Sequence, residues 1–351
     1  MKVAFFAPSL NERGTSVALY DYAHFNETLL GNDSIILTAE QTESAALGRF
    51  QQRFRVFRYI DMDGVDTFIR REAIDIVYML VHGRRDQSPP RLPSGCKLVV
   101  HCVFRSTTPF GDVYACISEQ VNQRSGTSHP VVPHMVYLPD SDAHLRDDLG
   151  IPHDAIVFGR HGGFDTFNIH FVHCIIERIL QERDDYYFIF MNTRPFLKRK
   201  MRDHPRVIHL PASYDSSYKT AFINTCDAMI HARKGGETFG LAVGEFSIRN
   251  KPVLTWDIPK GWASVRYHLW HTLLSPLIPG QQRLPKKADT AHLNILGHKA
   301  RVYHNAIELY KLIDAFDPIS TRKQNWDAYS QSYSPQSVMK LFQKHFLQSE
   351  L

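Results

Sequence analysis

Two glutamates eight positions apart, Glu237 and Glu245, bracket a glycine-rich run in this 351-residue chain: Gly235-Gly236-Glu237-Thr238-Phe239-Gly240-Leu241. A carboxylate accepts hydrogen bonds from several hydroxyls at once, so two of them on one loop and helix start suit the hydroxyls of a sugar or a ribose. The glycines suit a different group. Backbone N–H groups at a helix N-terminus bind phosphate through direct hydrogen bonds and the local dipole. An apolar run, Asp227-Ala228-Met229-Ile230-His231, reads as a strand before the loop, and Lys251-Pro252-Val253-Leu254-Thr255 reads as a strand after the helix. Strand, glycine turn, helix, strand is how a doubly wound α/β domain builds a phosphate site. Hydroxyl-reading carboxylates beside a phosphate cradle point to a ligand carrying both. The plainer alternative makes Glu237 a helix-start charge and Glu245 part of a solvated face.

Three further positions carry candidate chemistry. Arg160 follows Gly159 at the end of an apolar run over 155–159, and a guanidinium suits bidentate phosphate recognition. Lys234 and Arg233, beside the glycine pair, offer a second positive charge. Gly14, with Thr15 and Ser16, lies between the first strand and the first helical pattern, where Ser or Thr reads equally well as a plain helix cap. His101 closes the run Lys97-Leu98-Val99-Val100 at a sheet edge where ligands collect, and it is one histidine of 19.

Strand and helix patterns alternate along the chain and would hold these groups in place. Strands are expected over 2–7, 34–37, 54–59, 75–81, 97–101 and 113–117, with helices over 15–30 and 65–72. Residues 131–152 are Pro-containing and increasingly polar and mark a boundary. Beyond it come strands over 155–159, 186–191 and 207–210 and helices over 171–181, 217–225, 262–274 and 300–314. A polar loop spans 280–289, and a last helix spans 334–347. Such alternation predicts parallel sheets covered by helices on both faces, and 351 residues suit two domains of ~150–200 residues.

Composition narrows the class. At 43% hydrophobic and 22% charged the chain is an ordinary globular protein. No apolar run approaches the ~18 residues of a membrane span. Residues 1–8 read as a buried strand and not as a signal peptide, because the apolar run is short and is interrupted by Asn11-Glu12-Arg13. The five cysteines are odd in number and widely spaced, which argues against a zinc site or a disulfide framework and fits a reducing cytoplasm. A net charge of +5 suits a polyanionic ligand and is too small and dispersed for nucleic acid. Arg53, Arg55, Arg58, Arg70 and Arg71 are candidates for peripheral contact with lipid headgroups, a solvated face being the simpler reading.

The run Glu237-Thr238-Phe239-Gly240-Leu241, Glu245 and Lys251-Pro252-Val253 resembles the E-x7-E motif of retaining glycosyltransferases of the GT-B fold, especially glycosyltransferase family 4. The order of elements along nearly the whole chain follows the same pattern. The resemblance implies two Rossmann-like domains facing across a cleft: an acceptor domain over 1–138, a linker over 139–152 and a nucleotide-sugar domain over 153–325, with the helix over 334–351 packing back on the first. It implies that Glu237 contacts the donor sugar and Glu245 the nucleotide ribose, while Gly236, Thr238, Phe239, Gly240 and Leu241 hold the distal phosphate. Arg160, assisted by Lys234, would pair with the diphosphate, Gly14 would face the donor phosphates, and His101 would lie near the reactive face of the sugar. The Asp-x-Asp triplets at 61–63 and 140–142 match the metal motif of the other large glycosyltransferase fold. The first reads instead as an N-capping acid and the second falls in the linker, so no metal and no other cofactor is expected. The expected partners are a nucleotide-diphosphate sugar and a glycan or glycolipid acceptor. The alternatives are a phosphorylase or nucleotide-sugar epimerase on the same fold, or a non-catalytic binding protein. The last draws on two departures: no lysine within 162–168 and no doubled glycine at 14.

Overall fold

The computed structural model describes residues 1–10, 14–41, 45–82, 89–105, 108–259, 285 and 287–348. The chain divides into two units, Met1–Tyr137 with Gln331–Leu351, and Leu138–Ser330.

In the first unit, strands β1 (Lys2–Phe6), β2 (Asp33–Ala39), β3 (Arg55–Tyr59), β4 (Ile76–Val81), β5 (Lys97–Cys102) and β6 (Val113–Cys116) form one parallel sheet in the order β3-β2-β1-β4-β5-β6. Its inner strands are apolar nearly end to end because both faces are covered. Helices α1 (Gly14–Thr28), α2 (Ala45–Arg53) and α3 (Met62–Glu72) join the first four strands, and α4 (Glu119–Ser125) follows β6. Asp61 caps α3 by accepting the Gly64 N–H at 2.8 Å, the capping role its triplet suggested. The helix Pro335–Phe342 and the π turn Gln343–Leu347 complete this core. Phe342 stacks on Tyr22 at 5.2 Å, and Phe346 meets Tyr78 and His101 edge-on.

The second unit repeats the arrangement. Strands β7 (Ile156–His161), β8 (Tyr186–Met191), β9 (Val207–Leu210), β10 (Ala228–His231), β12 (Val253–Trp256) and β14 (Ala300–Tyr303) run parallel in the order β14-β12-β10-β7-β8-β9. A short parallel pair, β11 (Gly236–Glu237) and β13 (Asp289–Thr290), stands apart from that sheet. Helices α5 (His170–Glu182), α6 (Ser216–Thr225), α7 (Leu241–Ile248) and α8 (Ala291–Leu296) lie between the strands, and α9 (Ala306–Asp314) follows β14. Taking the six main strands of each unit in chain order, both sheets read third, second, first, fourth, fifth, sixth. The order therefore reverses beside the first strand, and ligands of such sheets collect at the carboxyl ends of the strands at that reversal. In the second unit those ends are His161 of β7 and His231 of β10.

Two expectations are corrected. Residues 300–303 form strand β14 and not the start of a helix; β14 is an edge strand with one fully buried side chain, Tyr303, so its sequence shows no clear alternation. The stretch over 139–152 belongs to the second unit and is tied to it by specific bonds. The Leu145 N–H donates to Thr225 Oγ1 at 2.7 Å, and Arg249 donates to the Ser141 carbonyl at 2.6 Å. The expected helix over 262–274 lies outside the described residues, as does most of the loop over 280–289.

One buried ion pair organises this unit. Asp227, just before β10, accepts from Arg146 Nη2 at 2.9 Å, from Arg322 Nη2 at 2.8 Å and from the Val157 N–H at 3.0 Å. Arg146 in turn donates to the carbonyls of Pro152 at 3.0 Å and Ala155 at 2.8 Å. Asp227→Ala strands the buried Arg146 cation, and urea unfolding should show a loss of about 3–5 kcal/mol. Arg322 is 67% exposed in its side chain, so Arg322→Ala should cost less than about 1 kcal/mol in the same measurement.

Candidate functional site

The glycine run lies beyond the carboxyl end of β10, where the strand order reverses. Two of its glycines are required by contact and by conformation. Gly236 has φ +67°, and a Cβ there would fall 1.9 Å from the Asp289 carbonyl oxygen. Gly240 has φ +86° and caps α7, and a Cβ there would come within 2.9 Å of His292 Cβ. Among the described residues no side chain caps α7, and the first amides of a helix have no intrahelical acceptor, so the start of α7 is a cradle of N–H groups. The cradle is narrower than the sequence suggests. The Gly236 N–H is spent on the Arg233 carbonyl at 3.0 Å. Thr238 and Phe239 are buried, with the Phe239 carbonyl accepting from Tyr329 at 3.0 Å, so Phe239 anchors the turn from beneath. Leu241, partly buried, opens the helix.

Glu237 stands at the rim, its side chain 21% exposed. Arg233 Nη1 donates to Oε2 at 2.6 Å, and His231 Nε2 lies 3.3 Å from Oε1. Burial pushes the carboxyl pKa up, but the His231 hydrogen bond and the Arg233 charge outweigh it and hold it at about 2. Glu245, on α7, is the more enclosed, with a side chain 3% exposed. Lys219 of α6 donates to Oε1 at 2.8 Å, and His161 Nε2 lies 2.9 Å from Oε2. Burial again opposes ionisation, and the Lys219 and His161 charges bring this carboxyl to about 2 as well. Glu245 is thus no solvated-face residue; it joins α7 to α6 and to the end of β7.

Arg160 departs from the expected role of an open phosphate fork. It is 4% exposed, and its guanidinium donates to Thr193 Oγ1, to Thr166 Oγ1 and, at 3.1 Å, to the Gly163 carbonyl. A Cβ on Gly162 would meet its Nη2 at 2.7 Å, so the loop after β7 is wrapped around the cation. Burial and Arg233 lower its pKa, with Glu237 opposing, to about 10. Arg160 shapes the turn beside the site. Lys234 is half-buried, with its backbone N–H fixed to Asn168 Oδ1 at 2.8 Å, and makes no ion pair among the described residues.

The two candidates in the first unit part ways. Gly14 is exposed as the first residue of α1. His101 ends β5 as expected but is fully buried. Its Nδ1 pairs with the Tyr78 hydroxyl at 2.7 Å and its Nε2 with the Val132 carbonyl at 2.6 Å. Both ring nitrogens are occupied, so this histidine is a hydrogen-bonding group of the core. Residues not singled out from the sequence surround the glutamates: His231, Lys219, Thr255 and His292, together with His161, the weaker candidate beside Arg160. The available signal was positional, because His161 and His231 end the two strands at which the order reverses.

No family model matches the sequence, and no curated protein matches it. Solved structures match its architecture. HepE from Anabaena, in complex with UDP-glucose, superposes with a TM-score of 0.64 at 14% identity, over 98% of this chain and 99% of that one. A glycosyltransferase from Rickettsia africae ESF-5 gives 0.58 at 13% identity, over 97% and 94%. A putative UDP-N-acetylglucosamine 2-epimerase from Listeria monocytogenes gives 0.52 at 13% identity, over 99% and 97%. At these identities the likeness is one of fold: this chain has the GT-B fold, with two parallel six-stranded sheets.

The paired glutamates set a pH dependence. Both have folded-state values near 2 against an ordinary 4.5, so their stabilisation is complete above about pH 4.5 and is lost as pH falls toward 2. Unfolding free energies measured between about pH 5 and pH 2 should fall steeply, and Glu245→Gln should flatten that fall by on the order of 2–3 kcal/mol.

Proposed function

We propose that this chain is a retaining glycosyltransferase that moves a sugar from a nucleotide-diphosphate donor to a carbohydrate, lipid-linked or protein-glycan acceptor. The carrying observation is Glu237: an ionised carboxylate, fixed by Arg233 and His231, at the mouth of an uncapped helix start. In this reading the α7 amides and Lys234 hold the distal phosphate, and Glu237 takes the sugar hydroxyls. Glu245 takes the ribose on lone pairs left over by Lys219 and His161. The occurrence of the same fold in HepE bound to UDP-glucose supports a nucleotide-sugar donor.

The bond from the anomeric carbon to the phosphate oxygen breaks, and a bond to the acceptor oxygen forms on the same face. The acceptor proton passes to the departing phosphate oxygen. In this scheme the developing phosphate charge is met by the α7 N–H groups and the Lys234 ammonium, each such donor supplying roughly 3–4 kcal/mol, with no metal and no further cofactor. The reaction is assigned to the cytoplasm. Among the described residues no helix is long and apolar enough to cross a membrane, and peripheral membrane contact is compatible with a lipid-linked acceptor.

A panel of nucleotide sugars incubated without acceptor tests the reading. Slow release of free sugar with retained configuration is the expected product. Conversion of the donor to an epimer favours the second reading, which the fold of the Listeria epimerase brings in, and dependence on inorganic phosphate favours a phosphorylase. Glu237→Ala should lower kcat/KM for the donor by at least about 100-fold while circular dichroism stays unchanged. Wild-type turnover in that variant would move the site elsewhere.

A further inference from the structure

Behind Glu237 lies a chain of buried polar groups that is unusual for a β-sheet core. His231 Nδ1 and Thr255 Oγ1 are 2.9 Å apart, and Thr255 Oγ1 and His292 Nε2 are 3.0 Å apart. His231 and Thr255 are direct partners on the neighbouring strands β10 and β12, so the sheet register fixes the first link. His292 arrives from α8, with its ring 5.0 Å from that of His231 and its Cβ against Gly240, where only a glycine leaves room. The Tyr303 hydroxyl also holds the His231 carbonyl, at 2.9 Å. Thr255 and His292 are essentially inaccessible.

The chemistry of a hydroxyl gives this chain a direction. Thr255 has one proton to donate and is in contact with two ring nitrogens. Glu237 is ionised and accepts from His231 Nε2–H, and in a neutral ring Nδ1 is then left as an acceptor. Thr255 then donates to His231 Nδ1 and accepts from His292 Nε2–H. For a neutral His231 the reverse direction would turn a bare Nε2 lone pair toward the carboxylate. Burial holds the His292 pKa down to about 3, so that ring is neutral and has one tautomer to choose.

We propose that Thr255 and His292 are positioning residues that act through His231: they fix its Nε2–H tautomer and so lock the Glu237 carboxylate in the orientation that meets the donor sugar. The kinetic part of this rests on the glycosyltransferase reading; the tautomer part does not. Arg233 grips one oxygen of Glu237 and His231 the other, so losing the second grip leaves the carboxylate free to rotate about the first.

The test compares Thr255→Val, which keeps the shape and removes the hydroxyl, with Thr255→Ser, which keeps the hydroxyl. Long-range 15N–1H spectra of histidine-labelled protein report ring tautomers, and the His231 signal is assigned by its loss in His231→Gln. Expected are an Nε2–H signal in wild type and in Thr255→Ser, and a shifted or mixed signal in Thr255→Val. His292→Leu, which removes the far end, should give the same change and stands in should Thr255→Val fail to fold. The donor KM should rise about tenfold in Thr255→Val and recover in Thr255→Ser. An unchanged His231 tautomer in both disruptive variants overturns the proposal, as does a wild-type KM in them. A wild type that turns over no nucleotide sugar, yet shows the expected tautomer changes, overturns the glycosyltransferase reading and leaves the relay standing.

Discussion

A carboxylate taken out of water must be met by positive charge and N–H groups, or it protonates; that constraint ties the second unit together. Desolvation costs several kcal/mol per ion, and partners recover it only when they are already in place. Asp227, Glu237 and Glu245 each satisfy it with partners from different elements. Asp227 brings the stretch after Leu138 and the helix Pro318–Arg322 to the head of β10. Glu245 ties α7 to α6 and to the end of β7, and Glu237 ties β11 to β10. The positions at which the sheet presents its strand ends are therefore also those at which charge is most tightly specified.

Glycine supplies the complementary constraint. At Gly236 and Gly240 the backbone needs both a left-handed conformation and the absence of a side chain, because Asp289 and His292 approach so closely. At Gly162 the missing side chain makes room for the Arg160 guanidinium. The cradle is thus a by-product of close backbone packing. Phe239 and Tyr329 pack edge-on beside it and share a hydrogen bond.

Much of this was legible in the sequence. The apolar runs of β1, β4, β5, β7, β8 and β10 announce themselves because parallel strands are covered on both faces, and the glycine run marks its own turn. What escaped has a common cause. Strand β14 is an edge strand, and α2 and α4 have only nine and seven residues, too few turns for an apolar face to repeat clearly. His101 sits at the strand end its pattern indicates, but whether a strand-end histidine faces solvent or core depends on helices far away in sequence, here the one carrying Phe342 and Phe346. Nor does any local pattern show the oxygens of Thr166 and Thr193 that surround the Arg160 guanidinium. The partners of the glutamates, Lys219 on a helix 26 residues before Glu245 among them, follow from the fold and from no local pattern.

The return of residues 331–351 to the first unit has a consequence for how the chain is made. The sheet from β1 to β6 is complete in the polypeptide well before Phe342 and Phe346 exist to cover Tyr22 and Tyr78. The second unit is continuous and leaves the ribosome whole. The first unit therefore covers this part of its aromatic core only after the continuous second unit has been synthesised.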